Sequence, residues 1–105
     1  MYSLIFYVPE SHCECVKHAV FAAGAGSLGN YEQCAWQVLG QGQFRPKAGS
    51  QPFLGEQDQL TLVNEYRVEM VCASSHLKAA ILALKNSHPY EEPAYSVIKF
   101  DENCL

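Results

Sequence analysis

The chain has 105 residues, a length suited to one domain with a single core of ordinary size. Hydrophobic residues make up 49% and charged residues 17%, with a net charge of −4 and only 7 lysines and arginines. That balance excludes nucleic acid or anionic membrane binding through a basic footprint, and so sparse a surface charge favours self-association.

No apolar run approaches the roughly 20 residues that cross a bilayer. The start, Met1-Tyr2-Ser3-Leu4, lacks the charged region of a signal peptide. Cysteines stand at 13, 15, 34, 72 and 104, an odd set without a CxxC pair. Reduced thiols in a cytoplasmic protein are the expectation.

Residues 2–8, Tyr-Ser-Leu-Ile-Phe-Tyr-Val, are β-formers apolar on both sides, which predicts a central strand ended by Pro9. Ser11 and Glu14 have capping-box spacing, and Val16, Ala19, Val20 and Ala23 recur at helical intervals. A helix over about 11–23, closed by Gly24, follows. The Gly24–Asn30 stretch is a turn that needs positive φ. Its glycines imitate a dinucleotide fingerprint, but they follow a helix and open none, so the pyrophosphate-binding helix end is missing.

Ala35–Leu39, within Tyr31–Gln43, reads as a second strand. Residues 44–60 carry Pro46, Gly49, Pro52 and Gly55, which predicts a long loop or arm of the kind that carries function or reaches a partner. Glu65–Cys72 alternates cleanly: Tyr66, Val68, Met70 and Cys72 face one way, Glu65, Arg67 and Glu69 the other. A second helix, capped by Ser74 or Ser75, places Leu77, Ala80, Ile81 and Leu84 on the core. Residues 95–100 form a last strand, and 101–105 a frayed tail.

The order βαββαβ predicts an α+β, ferredoxin-like single domain over residues 1–105, with two helices on one face of a four-stranded antiparallel sheet. The other face is left bare, with Trp36 on it, which predicts oligomerisation through that face or through the long arm.

Several motifs carry a family resemblance: Tyr7-Val8-Pro9-Glu10-Ser11, Ala22-Ala23-Gly24-Ala25-Gly26, Gly29-Asn30-Tyr31, Cys34-Ala35-Trp36, the segment Gly40–Pro46, Tyr66-Arg67-Val68-Glu69 and the segment His88–Tyr95. Together they resemble the domain inserted into the Nif-three-like (YqfO-like) proteins, the type 2 GTP cyclohydrolase homologues, over residues 2–100. That insert is similar in fold to the CutA divalent-ion tolerance proteins and the PII signalling proteins. The resemblance implies a homo-oligomer, trimer or dimer-based, because CutA and PII proteins are trimers. The family's two metal ions are held by His, Asp and Glu residues of a flanking domain that has no counterpart in this sequence. The chain is therefore expected to be the insert standing alone, and the hydrolase activity of the full-length family is not implied for it.

His88-Pro89-Tyr90-Glu91-Glu92-Pro93-Ala94-Tyr95 joins the second helix to the last strand. Proline drives its predecessor out of the helical region, so His88 and Glu92 are expected to be extended. An imidazole beside carboxylates is suited to ligation or acid–base work. Extended geometry, however, turns Glu91 and Glu92 to opposite sides, which favours a connector or interface role. Cys15 and His18 share a helix face, but two ligands fall short of the four of a structural zinc site. Gly40 and Gly42 within a strand predict a bulge or a close approach, with Arg45 placed to meet an anion or another subunit's carboxylate. Ser-His-Asp order, HExxH and a P-loop lysine are all absent.

The reading is a non-enzymatic, oligomeric PII/CutA-like module that binds a small ligand, a metal ion or a protein partner at a subunit cleft. Ligand or interface candidates are His88, Tyr90, Glu91, Glu92, Tyr95, Trp36 and Arg45, and none is assigned catalysis. For a metal ion the candidates are His88, Glu91, Cys15 and His18. The sequence requires no cofactor, and a divalent metal is compatible with it. Two alternatives stay open: a small metal-dependent hydrolase using His88 and Glu91, and a regulatory or scaffolding subunit of a separately encoded partner.

Overall fold

The computed structural model describes residues 1–101, so Cys104 and the expected fraying of 102–105 lie outside the described residues. The elements are β1 (Tyr2–Pro9), α1 (Cys13–Ala22), β2 (Trp36–Phe44), β3 (Thr61–Cys72), α2 (Ser74–Ser87) and β4 (Tyr95–Lys99), with a 3-10 turn, Glu10–His12, before α1. The sheet order is β2-β3-β1-β4, with every neighbouring pair antiparallel. This is the α+β, ferredoxin-like arrangement expected from the element order.

Alternation divides the sheet into two unlike faces. Leu4, Phe6 and Val8 of β1 and Val68, Met70 and Cys72 of β3 pack against Val16 and Val20 of α1 and Ala80 and Leu84 of α2. Both helices therefore cover one face. Phe6 and Leu84 are fully buried there, and truncating either to alanine removes about 3–5 kcal/mol. The opposite face carries Ile5 and Tyr7 across from Glu69 and Arg67, with Trp36 and Val38 on the next strand. Trp36 is 59% exposed and Ile98, on the same face of β4, 54%.

The β2–β3 hairpin is longer than its apolar pattern predicted. Pairing runs without interruption from Trp36↔Glu69 to Phe44↔Thr61, because backbone hydrogen bonding continues where no core is left to impose a pattern. The hairpin draws the molecule out to 46 × 23 × 23 Å. The radius of gyration is 14.7 Å, against about 13 Å for a rounded domain of this length. The uninterrupted register also corrects the bulge expected at Gly40 and Gly42. Gly42 serves a close approach instead: a Cβ there would run into the Glu65 carboxylate, whereas one at Gly40 would meet open space.

The helix starts need correcting as well. Ser11 Oγ lies 2.8 Å from the His12 ring, not on the backbone, and Glu14 accepts a hydrogen bond from Lys17 at 2.9 Å, so no capping box forms. The 3-10 turn supplies the entry in its place. In α2 the residue preceding the helix is Ala73 and no side chain caps it. The C-terminal glycine expectation holds: Gly24 has φ 112° and donates to Phe21 O at 2.9 Å.

Candidate ligand cavity

The segment between α2 and β4 is built around a buried histidine. His88 leaves the helix with φ −74° and ψ 137°, extended as the following proline requires. Its side chain is only 6% exposed. His88 Nε2 stands 2.7 Å from Tyr7 O, and Nδ1 accepts the Tyr90 N–H at 3.1 Å. This pairing assigns the neutral tautomer with the proton on Nε2. Burial lowers the His88 pKa, outweighing the raising effects of the Tyr7 carbonyl and Glu65. Both ring nitrogens are engaged, which leaves no lone pair for a metal ion or a substrate proton. Among the described residues no three His, Cys, Asp or Glu side chains converge on one point.

Residues 89–92 bend instead of staying extended, because the Tyr90 N–H turns back onto His88. The bend corrects the expected separation of the two acids: Glu91 and Glu92 border one hollow. Its volume is about 310 Å³. The floor is Tyr7 and Glu65 on the open side of the sheet, and one wall is Tyr90, Glu91, Glu92 and Ala94. The other wall comes from the end of β2 and the long loop, through Phe44, Pro46, Pro52, Phe53 and Leu54.

That loop folds back against its own domain. Asp58 N donates to Pro46 O at 2.7 Å at its base. Gln51 N donates to Glu91 Oε1 at 3.2 Å, and the Phe53 ring stands edge-on to His12 at 5.3 Å. Tyr90 is the shared aromatic, with ring centres 6.1 Å from Phe44, 6.4 Å from Phe53 and 4.8 Å from His88. Its hydroxyl is buried beside the Glu65 carboxylate and, among the described residues, meets no partner at full hydrogen-bonding geometry. Burial, and then the Glu65 carboxylate, push the Tyr90 pKa far up.

Of the residues singled out from the sequence, His88, Tyr90, Glu91 and Glu92 come together here. Tyr95 packs on the helix side of the sheet with Lys85 Nζ 5.6 Å from its ring centre. Trp36 sits at the far end of the hairpin from Phe44, on the open face. Arg45 is turned onto Asp58, with Nε 3.2 Å from its carbonyl oxygen. Cys15 and His18 are exposed on α1. Tyr7, Phe44, Phe53 and Glu65 escaped the sequence reading. The available signals were the apolar Phe53-Leu54 pair within a polar, Gly/Pro-rich loop and a carboxylate on β3 opposite a glycine strand.

No family model matches the chain. Among curated proteins, the GTP cyclohydrolase 1 type 2 homolog of Bacillus subtilis (strain 168) is 44% identical over 99 residues, 94% of this chain and 26% of that protein. The protein of the same name from Halalkalibacterium halodurans is 39% identical over 97 residues, 92% of this chain and 26% of its own length. Among solved structures, the Bacillus cereus protein related to NIF3 matches with a TM-score of 0.82 at 37% identity, over 96% of this chain and 26% of that one. The PII-like protein CutA from Nostoc sp. PCC 7120 matches with a TM-score of 0.71 at 16% identity, over 100% of this chain and 86% of that one, a likeness of fold alone. The chain spans about a quarter of the length of the curated relatives it matches. The resemblance carried by the motifs therefore holds, as homology to one segment of these proteins with a CutA-like fold.

Proposed function

We propose that this chain, a homologue of the CutA-like segment of NIF3-related proteins, is a non-enzymatic ligand-binding module that self-associates through its open sheet face. The observation that carries the reading is the aromatic-walled hollow of about 310 Å³ between the folded-back loop and the His88–Tyr95 segment. Its floor is the open side of the sheet, so a second copy seated on that face would border the hollow and complete a subunit cleft. Apolar pockets with a few polar groups at their rim are the ordinary form of small-molecule sites. Engagement of both His88 ring nitrogens favours binding over acid–base chemistry at this segment. The chain's free thiols at Cys13, Cys15, Cys34 and Cys72 suit a reducing, cytoplasmic setting.

A fragment screen by ligand-observed NMR tests the reading on the full chain. Fragments that bind the native protein and lose binding in Phe53→Ala support it, since Phe53 is a half-exposed loop residue whose loss spares the core. Fragment binding indifferent to Phe53→Ala contradicts it.

A further inference from the structure

We propose that the hollow takes a small organic cation with an apolar body, a protonated amine or quaternary ammonium, held by the rings of Phe44, Phe53 and Tyr90 and by the carboxylates of Glu65, Glu91 and Glu92. The inference rests on the hollow being a ligand site and adds the charge and chemistry of the ligand.

Charge is the first argument. Among the described residues, three glutamates line the hollow, and no lysine, arginine or histidine does. Arg45, at the base of the loop, is committed to Asp58 through Nε and, at 4.0 Å, through its terminal nitrogen. The negative charge reaches the hollow's own wall: after burial, the neighbouring Glu65 carboxylate raises the Tyr90 pKa. An anionic ligand such as a nucleotide phosphate would meet three carboxylates and no compensating cation.

Shape is the second, independent argument. Phe44 and Phe53 flank Tyr90 at 6.1 and 6.4 Å, tilted 53° and 46° to it and so not stacked, and all three line the hollow. Ring faces carry negative quadrupole potential and attract a cation within about 6 Å of their centres. A bare metal ion gains little from such walls and needs six or more oxygen ligands if it is hard. An organic cation uses both features. Gly42 keeps this arrangement possible, because any side chain there would displace the Glu65 carboxylate.

The test uses three probes with the same phenyl ring: benzyltrimethylammonium, benzyl alcohol and benzoate, titrated calorimetrically into the full chain. The ammonium is expected to bind about tenfold more tightly than the alcohol, with no binding of benzoate. Glu65→Gln should weaken the ammonium about tenfold and leave the alcohol unchanged, and Phe53→Ala should weaken both. Should Glu65→Gln not fold, as judged by circular dichroism, Glu91→Gln at an exposed position reads the same effect. Equal binding of alcohol and ammonium, lost in Phe53→Ala, keeps the ligand site and overturns the cation. Ammonium binding insensitive to both variants is adsorption to an acidic surface and overturns the proposal. Failure of all three probes overturns the proposal and the ligand-site reading together.

Discussion

His88 Nε2 and Tyr7 O meet at 2.7 Å across 81 residues of sequence, tying the segment after α2 to the central strand. Burial holds this imidazole neutral against the raising effect of the Tyr7 carbonyl, with the Tyr90 N–H occupying Nδ1, and stability should therefore depend on pH. The folded pKa lies below the ordinary 6.5, chiefly through desolvation. As pH falls the unfolded chain takes up the proton first. The contribution of His88 is then complete above 6.5 and is lost as pH drops through the lower folded value. Urea unfolding is expected to show stability declining from about pH 7 to about pH 5, with a shallower decline in His88→Gln, which does not titrate. An identical slope in the variant would assign the effect to carboxylates alone.

Tyr90 contributes its ring more than its hydroxyl. The ring meets Phe44, Phe53 and His88, while the oxygen is buried and, among the described residues, meets no partner at full hydrogen-bonding geometry. Removing an unsatisfied buried hydroxyl relieves a desolvation penalty, so Tyr90→Phe should unfold at higher urea, by about 1 kcal/mol. Tyr90→Ala should lose about 3 kcal/mol as the ring contacts disappear. A Tyr90→Phe variant less stable than the native chain would show that the hydroxyl is hydrogen-bonded in solution.

Two glycines on one strand separate packing from propensity. A Cβ at Gly42 meets Glu65 and one at Gly40 meets nothing, although Gly40 is the residue paired with Glu65 in register. Gly40→Ala should raise stability by about 0.5–1 kcal/mol, because glycine within a strand carries excess backbone entropy. Gly42→Ala should show little of that gain, since the flexible end of Glu65 has to move. Equal gains at both positions in thermal unfolding would mean that Glu65 does not occupy the space above Gly42.

Legibility in the sequence followed the core. Where one face packs on the helices, as in Tyr66, Val68, Met70 and Cys72, alternation announced both the strand and its orientation. Where the hairpin runs beyond the core, from Gly40 to Phe44 and from Thr61 to Asn64, one face is exposed and the other only partly covered, by the folded loop, so apolar periodicity carries no signal. Glu91 and Glu92 were legible as part of a site but not as neighbours, because their bend is imposed by a hydrogen bond to His88 that a dipeptide rule does not contain. Phe53 was hidden for a related reason. Its contacts, His12 and Tyr90, are 41 and 37 positions away by residue number, brought near only by the folded loop.

Self-association through the open sheet face is the most consequential part of the proposed function. Trp36 is 59% exposed there, in register with Glu69, whose carboxylate accepts from Arg67 at 3.1 Å. An exposed tryptophan on a flat strand surface is the natural centre of such an interface. Light scattering coupled to size exclusion, at micromolar concentration, is the direct measurement. We expect the native chain to elute as a defined multiple of 11.7 kDa, and Trp36→Glu as a folded species of 11.7 kDa. A native chain that elutes at 11.7 kDa would contradict it.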